Sequence, residues 1–198
     1  MKYFNTLPKI ITSNYNGGAI ILTNLLARAN IIPESLKSPL LYYKYDIQEG
    51  DTPEIVAHKY YGDSYRYWIV LFANQIINPQ WDWPLSGSNF EKYIQEKYTA
   101  FNPYSEIQRY EEIIEQFDTT TLTKTTNKII ISQDTYDNFI PTTTTYSLPT
   151  GSVTVTTSTR EVNYYTYELE LNESKRNIQL LNKNYIKEFE SELKRLMA

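Results

Sequence analysis

The chain has 198 residues, 41% of them hydrophobic and 21% charged, enough apolar content to build a core and too much for a disordered polypeptide. A formal net charge of -4 argues against a general nucleic-acid binder, which concentrates Lys and Arg on its surface. The absence of cysteine excludes disulfides, thiolate chemistry and cysteine-based zinc sites, and no run reaches the roughly 20 apolar residues of a membrane span.

Residues 1–18 read as an arm ending in the turn-forming Asn16-Gly17-Gly18. From Ala19 to Asn30 the sequence predicts a helix, with Ile21, Leu25 and Leu26 on one face and Asn24 and Arg28 on another. Pro33 and Pro39 bracket a linker, and Leu40 to Ile47 alternates like a strand. Gly50 suits the positive φ needed to leave that strand, Asp51 stabilises a tight turn, and Thr52 is a helix N-cap followed by Pro53. The helix runs through Ile55, Val56, Ala57 and Tyr60 to a stop at Gly62. A second helix carries Tyr67, Trp68, Leu71 and Phe72, and a loop from Asn74 to Pro84 holds Trp81 and Trp83. Ser88 caps a third helix through Phe90, Tyr93, Ile94 and Tyr98.

Ser105 to Phe117 reads as a helix from its 3.6-residue spacing, while weak alternation also permits a strand. Threonine then dominates from Asp118 to Thr166. Strands are expected at Lys128 to Ser132, Tyr136 to Ile140, Val153 to Thr157 and Val162 to Leu171. The last expected element is an amphipathic helix from Asn172 to Leu196, with Ile178, Leu181, Tyr185, Phe189, Leu193 and Leu196 along one stripe. The expected fold class is α+β, in four parts: an N-terminal arm and helix (1–39), a strand–helix–helix module with its following helix (40–98), a Thr-rich β extension (99–171) and a long C-terminal helix (172–198).

Chemistry finds little to stand on. His58 is the only histidine, so a Ser or Thr nucleophile lacks any other conventional base. No second His, Cys or clustered Asp motif accompanies it, so no metal site and no cofactor are expected. The pairs Glu111/Glu112 and Glu168/Glu170 read as neighbours on exposed faces rather than as an acid–base pair. The 19 tyrosines are more telling, because tyrosine joins a large apolar body to a polar tip and is enriched where proteins meet. The expected contact residues are Trp81, Trp83, Tyr185, Phe189 and Leu193, with Gly50, Asp51, Thr52 and Gly62 serving as turn and cap.

The run from Tyr45 through Gly50-Asp51-Thr52, Ile55-Val56-Ala57 and Tyr60 to Leu71-Phe72-Ala73-Asn74 resembles the LysM module, a βααβ fold. Two features depart from it. The segment is more aromatic, and Asn78-Pro79-Gln80-Trp81 stands where a closing strand with a Pro-Gly turn is usual. These departures resemble the baseplate wedge proteins with an embedded LysM-like domain of contractile-tailed, T-even-type bacteriophages. The likeness lies in Tyr61-Gly62-Asp63, Tyr65 to Asn74, Asn78-Pro79, Trp81 and the helix around Phe90 to Tyr98. That resemblance implies a non-enzymatic structural protein of the virion tail, made in the host cytoplasm. It would join neighbouring wedges around the hub of a six-fold baseplate, with other wedge, hub and sheath-initiator proteins as partners and neither nucleic acid nor membrane. The alternative is a LysM protein binding peptidoglycan or chitin-type glycans, with a groove between Gly50 to Thr52 and Ile76 to Pro79 and sugar rings stacked on Trp81 and Trp83.

Overall fold

The computed structural model describes residues 3–13, 15, 17–27, 29, 31 and 38–197. In chain order these form β1 (Lys9–Ser13), β2 (Ala19–Thr23), β3 (Tyr42–Asp46), α1 (Pro53–Tyr61), α2 (Tyr67–Ala73), a single turn α3 (Pro79–Asp82) and α4 (Gly87–Lys97). Then follow β4 (Ile107–Asp118), β5 (Thr123–Ile131), α5 (Gln133–Asp137), β6 (Thr142–Leu148), β7 (Gly151–Asn163), α6 (Tyr164–Ser174), β8 (Asn177–Leu181) and α7 (Ile186–Met197). The α+β class holds. The chain divides into two compact units, Met1–Gly87 with Asn172–Ala198, and Ser88–Leu171.

In the first unit, α1 begins where Thr52 Oγ1 accepts from the Ile55 amide and ends at Gly62, whose φ of 72° closes the cap onto the His58 carbonyl. Gly50 turns at a φ of 80°, as its place after β3 requires. Both helices bury small or β-branched residues: Val56 and Ala57 on α1, Ile69 and Val70 on α2. They pack with Ile178, Leu180 and Leu181 of β8, a strand that pairs antiparallel with β3 from Tyr42↔Leu181 to Asp46↔Asn177. The order is therefore strand, helix, helix, strand, with residues 74–176 lying between the last two elements. Asn74 seals the outer edge of β8: its amide donates to the Gln179 carbonyl at 2.8 Å and its Oδ1 accepts from the Gln179 amide at 2.7 Å. Helix α7 lays Ile186, Leu193 and Met197 into the same core, and Phe189 stacks on Trp68 at 5.8 Å.

The second unit is built on a four-stranded antiparallel sheet in the order β5-β4-β7-β6. Strand β4 is central along most of its length, Tyr110 to Asp118 facing both neighbours. The distal half carries threonine on both faces, with Thr142 facing Thr157 and Thr145 facing Thr154. Tyr136 of α5 covers Tyr110 at 4.7 Å between ring centroids.

Several expected elements are corrected. Ala19 to Thr23 is a strand, not the start of a helix to Asn30, because it finds a partner in β1; Arg28, Asn30 and Pro33 lie outside the described residues. Ile107 to Asp118 is a strand, its apolar run stabilised by neighbours on both edges rather than by a helical face. Around Tyr136 the chain is helical because Ser132 Oγ caps α5 through the Thr135 amide. Tyr164 to Ser174 is a helix, and its buried face is polar. Glu168 and Asn172 are buried on it, so apolar spacing gave no 3.6-residue signal. The C-terminal segment is not one helix: β8 interrupts it, since the Ile178 to Leu181 run satisfies the β3 edge. Asn78 also caps the short α3 inside the expected loop.

Closure of the first unit by β8 and α7 has a direct consequence. Ending the chain after Leu171 removes Ile178, Leu180, Leu181, Ile186, Leu193 and Met197 from its core, at about 1.5–3 kcal/mol of lost burial for each large side chain. Hydrogen exchange should then show Tyr42–Ala73 amides unprotected, while those of β4 and β7 stay protected.

Candidate interaction surfaces

Asp51 organises the β3–α1 turn. Its buried carboxylate accepts from Lys59 Nζ at 2.6 Å, Tyr45 Oη at 2.8 Å and the Gln48 amide at 3.2 Å. Burial opposes ionisation of Asp51, but these three donors outweigh it and hold its pKa below the ordinary value. Burial and the same carboxylate push Tyr45 up to about 12. The Asp51 carbonyl accepts from Trp83 Nε1 at 2.8 Å, which fixes the indole as a buried strut.

Trp83 and Leu193 therefore belong to the core, and Phe189 is half-buried against Trp68 and Phe72. Of the five expected contact residues, Trp81 at 65% exposure and Tyr185 at 41% stand at the surface. The sequence signal was an aromatic or apolar residue at helical or loop spacing, and such a signal marks cores as readily as interfaces. His58 is exposed, and its carbonyl accepts from the Gly62 amide. A polar pocket of about 350 Å³ touches Asn74, Gln75, Asp82 and Lys175. Its charged groups are engaged: Lys175 Nζ donates to the Trp81 carbonyl, and Asp82 accepts from the Asn78 amide.

The carboxylates read as solvated are in part buried. Glu111, on the central strand β4, is held by Arg109 at 2.6 Å and by Arg160 at 2.6 Å. Arg160 Nη2 also reaches Glu170, which in turn meets Lys128. Glu168 accepts from Tyr93 at 3.0 Å and from Tyr98 and Lys97 at 2.7 Å. Burial disfavours the charged form of Glu111 and Glu168, yet the hydrogen-bonded cations and hydroxyls lower both pKa values. These groups are anions locked to cations and donors, an arrangement suited to fixing β4, β7, α4 and α6. Among the described residues no group of three or more His, Cys, Asp or Glu could hold a metal ion, and no helix is long and apolar enough to cross a membrane.

What the sequence reading missed is an apolar hairpin. Ile10, Ile11, Ile20, Ile21 and Leu22 on β1 and β2, with Leu25 and Leu26 just beyond, are all exposed. In the second unit Ile129, Ile130, Tyr146 and Leu148 are exposed on the edge strands β5 and β6. The available signal was the β-branched Ile10-Ile11-Thr12 and Ile20-Ile21 runs flanking Asn16-Gly17-Gly18, which fit a hairpin.

The family of base plate wedge protein 53 matches the chain over residues 3–196. No curated protein matches it.

The lowered pKa of Glu168 sets a pH dependence. Above about pH 4.3, the unfolded-state value, the ionised side chain contributes its full share to stability. As pH falls towards the lower folded value, the unfolded chain takes up the proton first and that share is lost. Thermal melts should show Glu168→Gln already destabilised at neutral pH. The gap between wild type and variant should shrink below about pH 4 as the wild type loses the same anion. A gap that widened on acidification would contradict the assignment.

Proposed function

Because the chain belongs to the base plate wedge protein 53 family of phage baseplate proteins, we propose that it joins neighbouring wedges around the central hub of a six-fold, contractile-tail baseplate. One observation carries this beyond the family. Each of the two units keeps its own packed core and still presents large apolar side chains to water: Ile11, Ile21, Leu26 and Trp81 in the first, Ile129, Ile130, Tyr146 and Leu148 in the second. Apolar surface on both units gives one polypeptide at least two places to bind, which is what a joint needs. The partners in this reading are other wedge proteins and hub or sheath-initiator proteins, and the location is the virion tail after synthesis in the host cytoplasm.

The strand–helix–helix–strand order of β3, α1, α2 and β8 supports reading the first unit as a LysM-like module. Its closing strand arrives after a long insertion, which accounts for the missing Pro-Gly strand near Asn78. In this reading the module is a rigid block for protein contact. The glycan reading stacks sugar rings on Trp81 and Trp83; Trp81 is exposed, but the Trp83 indole is buried and its Nε1 is spent on the Asp51 carbonyl. Nor is an enzyme favoured, since Glu111 and Glu168 already balance cations.

A tagged copy in infected cells should recover tail proteins as defined stoichiometric partners. Titration with chitin oligomers or peptidoglycan should leave tryptophan fluorescence unchanged. Saturable glycan binding with a fluorescence change and no tail partner would reverse the choice.

A further inference from the structure

The polar pocket beside β8 lies where that strand's outer edge is only partly covered. The Ile47 amide donates to the Arg176 carbonyl, and the Asn182 amide donates to the Leu41 carbonyl. With the register running from Tyr42↔Leu181 to Asp46↔Asn177, alternation turns the main-chain groups of Ile178 and Leu180 toward β3. Those of Asn177 and Gln179 point away from it. A side chain satisfies Gln179 on this outer edge: the Asn74 carboxamide donates to its carbonyl at 2.8 Å and accepts from its amide at 2.7 Å. Asn177 stands two residues earlier, about 7 Å along the strand. It presents the same donor–acceptor pair in the same direction, and among the described residues no protein group takes it. Asn177 lines the pocket together with Asn74, Gln75, Asp82 and Lys175.

Gln75 marks the rim in a second way. It ends α2 at a φ of 55°, its amide donating to the Phe72 carbonyl and the Ile76 amide to that of Leu71. Glycine is the usual residue at such a left-handed cap, so the Gln75 side chain stands at the pocket despite backbone strain. The charges around it balance. Lys175 Nζ donates to the Trp81 carbonyl at 2.6 Å and Asp82 accepts from the Asn78 amide at 3.1 Å, one cation and one anion each held by main chain. The pocket therefore offers a ligand no net charge.

We propose that this pocket binds an uncharged, extended peptide segment. The segment's main chain pairs with the Asn177 amide and carbonyl as the Asn74 carboxamide pairs with those of Gln179, and the Gln75 carboxamide supplies a further hydrogen bond. An amide is the matching group because it carries a donor and an acceptor at the spacing the strand edge presents. Two sources offer this chemistry. One is β6 of a neighbouring copy, whose stretch Thr142–Leu148 is exposed, uncharged and at a sheet edge. The other is a similar stretch of another tail protein.

Only the source of the peptide rests on the baseplate reading; the site itself is tested on the isolated full chain. Amide NMR of the labelled protein is followed as the acetylated, amidated heptapeptide of sequence Thr142–Leu148 is added, and separately with chitotetraose. The expected result is saturable shifts at Asn177, Gln75 and Ile76 with the peptide and none with the sugar. Gln75→Gly should keep or raise the melting temperature, since glycine relieves the left-handed strain, and weaken binding about threefold to tenfold. Asn177→Pro removes the outward amide, leaves the β3 pairing in place and should abolish binding. No saturable shift at millimolar peptide, shifts confined to another surface, or an unchanged affinity in Gln75→Gly each overturn the site. Saturable shifts of the same amides with chitotetraose overturn the peptide class. Benzoylphenylalanine in place of Gln75, cross-linked in assembled tails, then separates the sources: a join to residues 142–148 of another copy assigns the first, and a join to an uncharged stretch of another tail protein assigns the second. A join to a charged or helical segment overturns the inference. If the peptide binds in solution and position 75 reaches no tail protein, the baseplate reading fails and the site stands.

Discussion

The pairing of β3 with β8 is the constraint on which the first unit depends. Alone, β3 and the two short helices bury Val56, Ile69 and Val70 only in part; Leu7, Ile47 and Trp83 belong to the same core, and Ile178, Leu180 and Leu181 complete its cover. Strand β8 supplies that cover and brings α7 with it. The cost is a long closure. Bringing ends together over about a hundred residues instead of about ten costs roughly 2 kcal/mol more in chain entropy if the loop is flexible. A folded insertion reduces that cost, and polar contacts tie the seam. Arg176 Nη1 donates to the Ile47 carbonyl while the Ile47 amide donates to the Arg176 carbonyl. Asn172 exchanges two hydrogen bonds with the backbone of Leu85, so the chain leaves and re-enters this unit at adjoining residues. Insertions are tolerated where the two ends of a host site lie together.

The second unit meets a different difficulty. Its sheet is rich in threonine and poor in large apolar residues over its distal half, so a conventional two-layer core is confined to the proximal end, around Phe90, Ile94 and Val162. Buried charge does part of the work that packing does elsewhere. Glu111 between Arg109 and Arg160, and Glu168 among Tyr93, Lys97 and Tyr98, each satisfy their carboxylate oxygens fully. Such networks specify geometry more than they add net stability, because desolvation consumes much of the Coulomb gain. They hold α4 and α6 in register with the sheet, and Tyr104 and Tyr165 reinforce this by both donating to Glu91.

Where local physics decides the structure, the sequence was readable. Gly50, Thr52-Pro53, Gly62 and the α2 spacing predict turn, cap, stop and helix within a residue or two, since each role is set by the residue's own backbone or hydroxyl chemistry. Where a distant partner decides, it was not. Ala19–Thr23, Ile107–Asp118 and Asn177–Leu181 all contain apolar runs that fit a helix or a strand equally well, and only the presence of β1, β5 with β7, and β3 selects the strand. The α6 error has the opposite origin. Its inward face is made of Tyr165, Glu168 and Asn172, so a correct 3.6-residue period was present but written in polar residues. The burial of Trp83 has a related reason: an indole signals large buried area wherever it lies, and Trp83 spends that area inside the fold while Trp81, two residues earlier, does not.

These features meet at the chain's termini. Residues at both ends of the chain enter the core of the same unit: Leu7 and Tyr3 from one side, β8 and α7 from the other, with Trp68 touching both Tyr3 and Phe189. The hairpin's root is held by the packing of Tyr3, Leu7, Ala27 and Ala29. This packing ties the hairpin to completion of the first unit, because Trp68 is covered fully only when Phe189 on α7 is in place.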